Sequence, residues 1–414
     1  MSVAPQGSAG CGQSPGPSPR SLRGLDWFIF CVADVQTGFG PFVAVYLTTQ
    51  KWTQTDIGLV LTVGGLVALA GQMPGGALVD AANSERLVAG FAIATITASA
   101  LAYAVWPIFP VILGAAVLHA AASCVLGPAI AAISLGLVGH AAIGERLGRN
   151  ARCAAIGNGL AAAAMGAAGY FFSARAGFVV TAVLLGPALV MLRLISPEEI
   201  NPERAHGGKP EPRAEKLPAA LLRLLSSRPL LIFAASIMLF HFANAAMLPL
   251  MGSVLTTRSS EWATILIAAC IVGPQCLVAA FSPWVGRKAE VWGRRPLLLI
   301  AFATLPVRGL LFAAVADPSF LVAVQLLDGV AAAVLAVMVP LVIADLTRGT
   351  GHFNFGQGIV GSTMGIGASL STTFAGYLSD RFGSVAAFVG LAVVAILGIA
   401  AIWSLMPETQ RSRQ

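Results

Sequence analysis

SPEEINPERAHGGKPEPRAEKLPAALLRLLSS, residues Ser196 to Ser227, is the longest polar interruption in this chain. Charge and proline crowd it, while the sequence on either side is apolar for long stretches. Of the 414 residues, 57% are hydrophobic and only 10% charged, and the mean hydropathy is +0.82. Soluble domains carry about 25% charged residues, so a water-soluble globule of this composition would have to expose much of its apolar surface. Lipid is the solvent these residues are built for. In lipid only helices and closed barrels satisfy the backbone, and a spanning helix needs about 20 mostly apolar residues. The apolar runs here are continuous rather than alternating, so they read as helices.

Working outward from Ser196–Ser227, six helices precede it and six follow. The runs place them near 25–48, 57–79, 87–106, 109–138, 153–172 and 177–195, then 229–256, 261–285, 296–315, 318–345, 356–378 and 384–405. The expected organisation is a disordered cytoplasmic N-terminus (1–20), an N-terminal six-helix bundle (21–195), a cytoplasmic linker (196–227), a C-terminal six-helix bundle (228–406) and a cytoplasmic tail (407–414). The apolar segment after Arg20 and Arg23 is too long for a cleavable signal and reads as a retained first helix.

The net charge of +7 is not a nucleic-acid signal, because the basic residues lie in short segments between apolar runs. Placing both termini in the cytoplasm puts nearly all of them inside. Only Lys51, Arg175, Arg258 and Arg381 fall outside, with Arg308 inside a helix. A multi-pass protein of a cell membrane, such as a bacterial inner membrane, follows. The scattered cysteines have neither disulfide nor metal-ligand spacing. No Ser-x-x-Lys, His-Glu-x-x-His or P-loop occurs, so neither enzyme chemistry nor ATP-driven transport is expected, and no cofactor or metal.

The two sets of six helices carry echoes of each other. AAGYFFSARAGFVV (Ala167 to Val180) resembles FAGYLSDRFGSVAA (Phe374 to Ala387), with Gly169 and Gly376 207 positions apart. GGALVD, ending at Asp80, lines up with GRKAE, ending at Glu290, at an offset of 210. The similar offsets and shared helix positions describe a duplicated six-helix unit, the copies in the same orientation.

Six plus six helices and these glycine–acid signatures resemble the major facilitator superfamily of secondary transporters, across nearly the whole chain after residue 20. The resemblance implies an all-α polytopic fold with 12 transmembrane helices in two pseudo-symmetric halves. The family's loop signature G-x-x-x-D-R-x-G-R-R/K is matched in GRKAEVWGRR by Gly286, Glu290, Gly293, Arg294 and Arg295. The first copy keeps Gly76 and Asp80, departs at AANSERL, and retains Arg86 downstream. These residues are expected to form a conformational latch. Glycine allows close helix approach, the acid accepts from a neighbouring helix N-terminus, and the arginines pair across the interface.

Polar residues at membrane depth form the second constellation. Asp34, Gln36 and Thr37 interrupt the first helix, and adding 207 carries Asp34 to His241 and Thr37 to Asn244. His119 maps to Asp328 at an offset of 209, and Gln325 shares a helical face with Asp328. Arg308 needs a partner at that depth; Asp328 is near in sequence, and Asp34 is a more distant alternative. By the resemblance these residues line a substrate and proton cavity, although a static Arg308–Asp328 pair remains open. Multidrug antiporters of the family carry an arginine in the fourth helix and a Gly-Pro pair in the fifth. Here His119 and GNGLAAAAMGAAGYFF stand instead.

The reading is thus a monomeric secondary transporter of a small organic solute working by alternating access, with proton coupling and export favoured. A metabolite importer, or a sensor or scaffold on the same fold, is the alternative.

Overall fold

The computed structural model describes residues 16–37, 43, 46–173, 175–208, 222–258, 263–315 and 317–410, and among these there is no strand. The first half holds α1 (Pro19–Thr37), α2 (Gln54–Asp80), α3 (Glu85–Val105), α4 (Phe109–Val138), α5 (Ile143–Phe171) and α6 (Ala176–Leu194). A 3-10 turn (Pro197–Glu199) and one helical turn, α7 (Pro202–Ala205), follow. The second half holds α8 (Arg228–Asn244), α9 (Met247–Arg258), α10 (Ala263–Trp292), α11 (Arg294–Ala314), α12 (Pro318–Leu346) and α13 (Phe353–Leu405).

Two of these elements decide how the spans are counted. α13 runs 53 residues, but Gly383 inside it has φ 85° and ψ 165°, a conformation that side chains with a Cβ avoid, so two spans meet there. α8 and α9 are two pieces of one span, broken at Ala245–Ala246. Among the described residues nine helical stretches are long and apolar enough to cross a membrane, α13 counting once. α1 and α5 are the more polar spans outside those nine. The result is an all-helical protein of twelve spans.

Helix starts are written in local chemistry. Thr53 accepts from the Asp56 N–H ahead of α2, and Ser84 accepts from the Leu87 N–H ahead of α3. α1 begins at Pro19, inside the stretch expected to be disordered, because Ser18 accepts from the Ser21 N–H at 3.2 Å and Pro19 suits the first helical position. α5 starts ten residues earlier than its apolar run suggests. Its charged first turns are held by partners: Arg146 and Arg149 both bind Asp26 of α1, the latter at 2.6 Å. α10 likewise continues past residue 285, so the GRKAE acid sits on a helix end rather than in a loop.

Within the first half α1 packs on α5 and α6, α2 on α4, and α3 on α4 and α6. In the second half α8 packs on α13, α10 on α12, and α11 on α12 and α13. The halves meet through α5 with α10 and α12, and through α2 with α13. In lipid there is little hydrophobic drive between helices, so close backbone approach at small residues carries the packing. An ideal Cβ at Gly148 of α5 would lie 2.6 Å from the Ser282 carbonyl oxygen of α10. One at Gly358 of α13 would lie 2.7 Å from Met73 Cα of α2. The apolar core of the second half continues into the first through Leu135, Ile143, Leu147 and Ala151.

Candidate functional site

The polar depth of the second half is organised by the break between α8 and α9. A helix broken in lipid must find new partners for its backbone, and the Ala246 N–H donates to the Ser371 hydroxyl of α13 at 3.0 Å. The two side chains flanking the break, Asn244 and Met247, turn to Arg308 of α11. Its guanidinium donates to Asn244 Oδ1, to Met247 Sδ at 3.2 Å, and to Asp328 Oδ1 of α12. The Phe312 ring lies beneath it, 5.9 Å from Cζ to centroid. Arg308 is 1% exposed, whereas the Asp328 side chain keeps 25% of its surface open. Gln325, buried one turn away, donates to Asp328 Oδ2 at 3.4 Å.

Asp328 opens into a cavity of about 300 Å³ walled by α8, α12 and α13. His241, Asn244 and Asp328 supply its polar groups, and Phe240, Leu335, Val339, Pro340 and Met364 are among the apolar wall. Arg308 and Gln325 stand behind this lining, and His119, on α4 of the first half, is not part of it. The side chains of Asp34, Gln36 and Thr37 fall outside the described residues, as does any contact between Asp34 and Arg308.

At one end of the molecule the halves are sealed. Asp80, the last residue of α2, accepts from the Asn354 N–H (3.1 Å), the Asn354 amide (2.8 Å) and the Phe355 N–H (2.8 Å). A carboxylate thus meets the positive end of α13, where the backbone N–H groups lack intrahelical partners. One turn earlier, an ideal Cβ on Gly76 would lie 2.6 Å from the Asn354 carbonyl carbon, so only glycine lets α2 come this close. The second copy repeats the close glycine approach but not the carboxylate contact: Gly286 of α10 lies against Gly144 at the start of α5, where a Cβ would be 3.0 Å from the Gly144 carbonyl carbon, while Glu290 Oε1 makes no hydrogen bond among the described residues.

The arginines depart from the expectation of pairing across the interface. Arg294 binds Asp345 (2.9 Å) and Glu290 (3.4 Å) in its own half, and Arg295 reaches the Trp403 carbonyl and stacks over that indole. Acceptors within the second half thus take both guanidinium groups. Gly293, with φ 88°, forms the turn that starts α11 beside them. Glu408, just beyond α13, then caps α11 through the Arg294 and Arg295 N–H groups at 2.8 and 3.0 Å. Arg86 Nε makes no hydrogen bond among the described residues.

Asn354, Glu408, Asp345 and Met247 carry no motif, and sequence reasoning passes over them. Residues 197–208 are another omission. Ile200 and Ala205 bury in the first-half core, and Asn201 N–H donates to the Gly136 carbonyl at 3.1 Å. The segment then crosses to the second half. Its His206 and Gly207 carbonyls accept from the Phe353 and Gly349 N–H groups at 3.1 and 2.6 Å. His206 Nε2 lies 3.1 Å from Glu85 Oε1. That carboxylate holds the His206 pKa above its ordinary value, outweighing burial, with Asp80 adding to the effect. His352, across the gap on the second half, is held below its ordinary value by burial and by His206.

Two packed six-helix halves, sealed together at one end, and a mainly apolar pocket in the second half that carries His241, Asn244 and Asp328 define a polytopic membrane transporter. The sequence pattern of the Major Facilitator Superfamily matches residues 26–277 and 259–414, and the chain belongs to that family. It is 40% identical over 403 residues to an uncharacterised MFS-type transporter of Mycobacterium tuberculosis, covering 94% of each chain, in both the CDC 1551 and H37Rv strains. Its fold is similar to the proton:xylose symporter XylE bound to 6-bromo-6-deoxy-D-glucose, with a TM-score of 0.69, 15% identity and coverage of 94% of this chain and 96% of that one. The human organic anion transporter MFSD10 (TETRAN) is similar at a TM-score of 0.64 and 15% identity, over 93% of this chain and 100% of that one. The family is one of transporters, not enzymes, and the protein is a multi-pass membrane transporter of a small molecule.

Proposed function

We propose that this protein is a proton-coupled secondary transporter that exports a small, largely apolar organic solute carrying a hydrogen-bonding group. The observation that supports this reading is the pocket in which Asp328, His241 and Asn244 face a mainly apolar wall. The buried Arg308 balances Asp328, so the second-half wall presents hydrogen-bonding atoms without a net charge. A sugar would leave most of such a wall unmatched, whereas an amphipathic solute matches both parts. Apolar solutes leak inward across a bilayer unaided, so a carrier for them is useful in the outward direction.

Asp328 is the proposed proton acceptor. A proton on it removes the charge facing Arg308 and frees the guanidinium to bias the α8–α9 break, which gives the cycle a coupling step. XylE is described as a proton:xylose symporter, which supports proton coupling as a capacity of this fold. Asp34, Gln36, Thr37 and His119 are the proposed first-half contribution. The sealed end, with Gly76, Asp80, Gly286 and Glu290, is the proposed cytoplasmic latch. Both termini lie in the cytoplasm of a bacterial inner membrane, residues 21–195 and 228–406 are the moving bodies, and the monomer is the working unit.

The test is a thermal-shift screen of the purified protein against amphipathic amines, neutral drugs and sugars, since a ligand of the native state raises apparent stability. Each hit then goes into proteoliposomes with an imposed pH gradient. Proton-driven flux of amphipathic hits, lost in Asp328→Asn, is expected. Binding without flux would make the protein a sensor, and sugar-only hits would overturn the export reading.

A further inference from the structure

Building on the pocket proposed as the solute's site, we infer that the solute carries two hydrogen-bond donors about 12 Å apart across an apolar body, and that the Ala336 backbone carbonyl, released by Pro340, takes the second of them. A proline inside a helix has no N–H for the carbonyl four residues before it, and in lipid such a carbonyl needs another donor. Pro340 is the proline inside α12, so the carbonyl it releases is that of Ala336.

Elsewhere the packing takes up such carbonyls. Pro283 of α10 releases the Ala279 carbonyl, and Arg152 Nε of α5 donates to it at 3.1 Å from the other half. Pro128 of α4 releases that of Cys124, and Gly75 of α2 presses on it: an ideal Cβ on Gly75 would lie 2.7 Å from that oxygen. Ala336 differs. It lines the cavity together with Pro340, and it is exposed there. Among the described residues no side chain donates to its carbonyl. A helix carbonyl points along the axis toward the residue four places on, so this one sits between Ala336 and Pro340 on the face that lines the cavity.

The same face carries Asp328. Asp328, Ala332, Ala336 and Pro340 recur at every fourth position along α12, and all of them line the cavity. With a rise of ~1.5 Å per residue, Asp328 and Ala336 stand about 12 Å apart along the axis. Ala332 and Leu335 lie between them and offer only carbon. An acceptor therefore stands at each end of an apolar stripe. A solute that fills the cavity drives water off the Ala336 carbonyl and, without a donor of its own, leaves it unsatisfied. The chemistry selected is an amine or hydroxyl toward Asp328, an apolar spacer, and an N–H or O–H toward Pro340. The second donor is neutral, because a backbone carbonyl brings no counter-charge.

The experiment measures dissociation constants by isothermal titration, with the full chain in lipid nanodiscs. One probe is a nine-carbon ω-amino alcohol, which when extended has about the required span; its methyl ether keeps the oxygen and lacks the donor. A four-carbon amino alcohol and its ether form the short pair. In the parent the long alcohol is expected to bind about three- to tenfold more tightly than its ether, the worth of one neutral hydrogen bond. The short pair should show no such preference. Pro340→Ala restores an N–H for the Ala336 carbonyl within the helix. The preference should then vanish or reverse, since the ether's extra methyl suits an apolar wall. Val339→Ala trims the wall beside Pro340 without supplying an N–H, and should keep the preference. No preference in the parent, an equal one in the short pair, its persistence in Pro340→Ala or its loss in Val339→Ala would each overturn the inference and leave the pocket's role standing. Should Pro340→Ala fail to fold, the two ligand pairs on the parent decide. Long amines that bind in neither form would overturn the pocket's role, and the inference with it.

Discussion

Adding one methyl group at Gly76 should tip the conformational balance without unfolding the protein. The new Cβ would lie 2.6 Å from the Asn354 carbonyl carbon and 3.0 Å from Phe355 Cα, both backbone atoms that no rotamer can move. Carbon atoms prefer separations of about 3.5–4.0 Å, so α2 and α13 must part locally by close to 1 Å. Overpacking of this kind costs typically ~1–3 kcal/mol. The clash exists only where the halves touch, so the penalty falls on the sealed state alone and should shift its population about 5- to 150-fold. Gly65, on the same helix with nothing within 4 Å of its Cβ position, is the internal control. Spin-label distances between Asn83 and Arg287 should lengthen in Gly76→Ala and match the parent in Gly65→Ala, with melting temperatures within a few degrees of one another. A Gly76→Ala protein with the parent's distance distribution would refute the reasoning, as would one that loses thermal stability in place of changing state.

Three further outcomes are expected. Asp328→Leu leaves the buried Arg308 cation without an acidic partner, and should lower stability by about 3–5 kcal/mol; adding Arg308→Met should recover most of it in a detergent melt. Asp26→Asn removes the negative charge that Arg146, 3% exposed, shares with Arg149; a loss of similar size is expected, and an unchanged melting curve would show that Asn150, whose Oδ1 accepts from Arg146 Nε at 2.7 Å, suffices to hold the arginine. Glu408→Gln weakens the cap on α11 by about 1 kcal/mol, which hydrogen exchange should register as faster exchange confined to the first turn after Gly293.

The spans are legible because lipid selects on composition: twenty apolar residues in a row suit a bilayer and little else. Gly76 and Gly286 are legible for a related reason, since a glycine followed four residues later by an acid recurs in both halves. Partners are not legible. Asp80 meets Asn354 across 274 positions, and no local pattern marks an asparagine as the far side of a latch. The start of α5 is hidden because Glu145, Arg146 and Arg149 look like a loop until Asp26 is placed beside them. The α8–α9 break is invisible in HFANAAML, whose propensities are helical throughout; tertiary contacts with Ser371 and Arg308 stabilise it. Polarity at depth points to Arg308 and Asp328, but which of them faces the cavity depends on packing that the helical period alone does not specify.

The arginine at the centre of the second half also bears on how the chain enters the membrane. A mid-helix arginine opposes insertion by about 2.5–3.5 kcal/mol, and each leucine or phenylalanine favours it by only ~0.3–0.6. α11 carries enough of them, among Leu297, Leu298, Leu299, Phe302, Leu305, Leu310, Leu311 and Phe312, to offset that opposition. Synthesis delivers the partners in a useful order. Asn244 is already in place when Arg308 arrives, and Asp328 follows twenty residues behind it. Met247 also precedes it, so the guanidinium passes from two ligands to three, and α11 with α12 is the hairpin in which biogenesis first neutralises the charge.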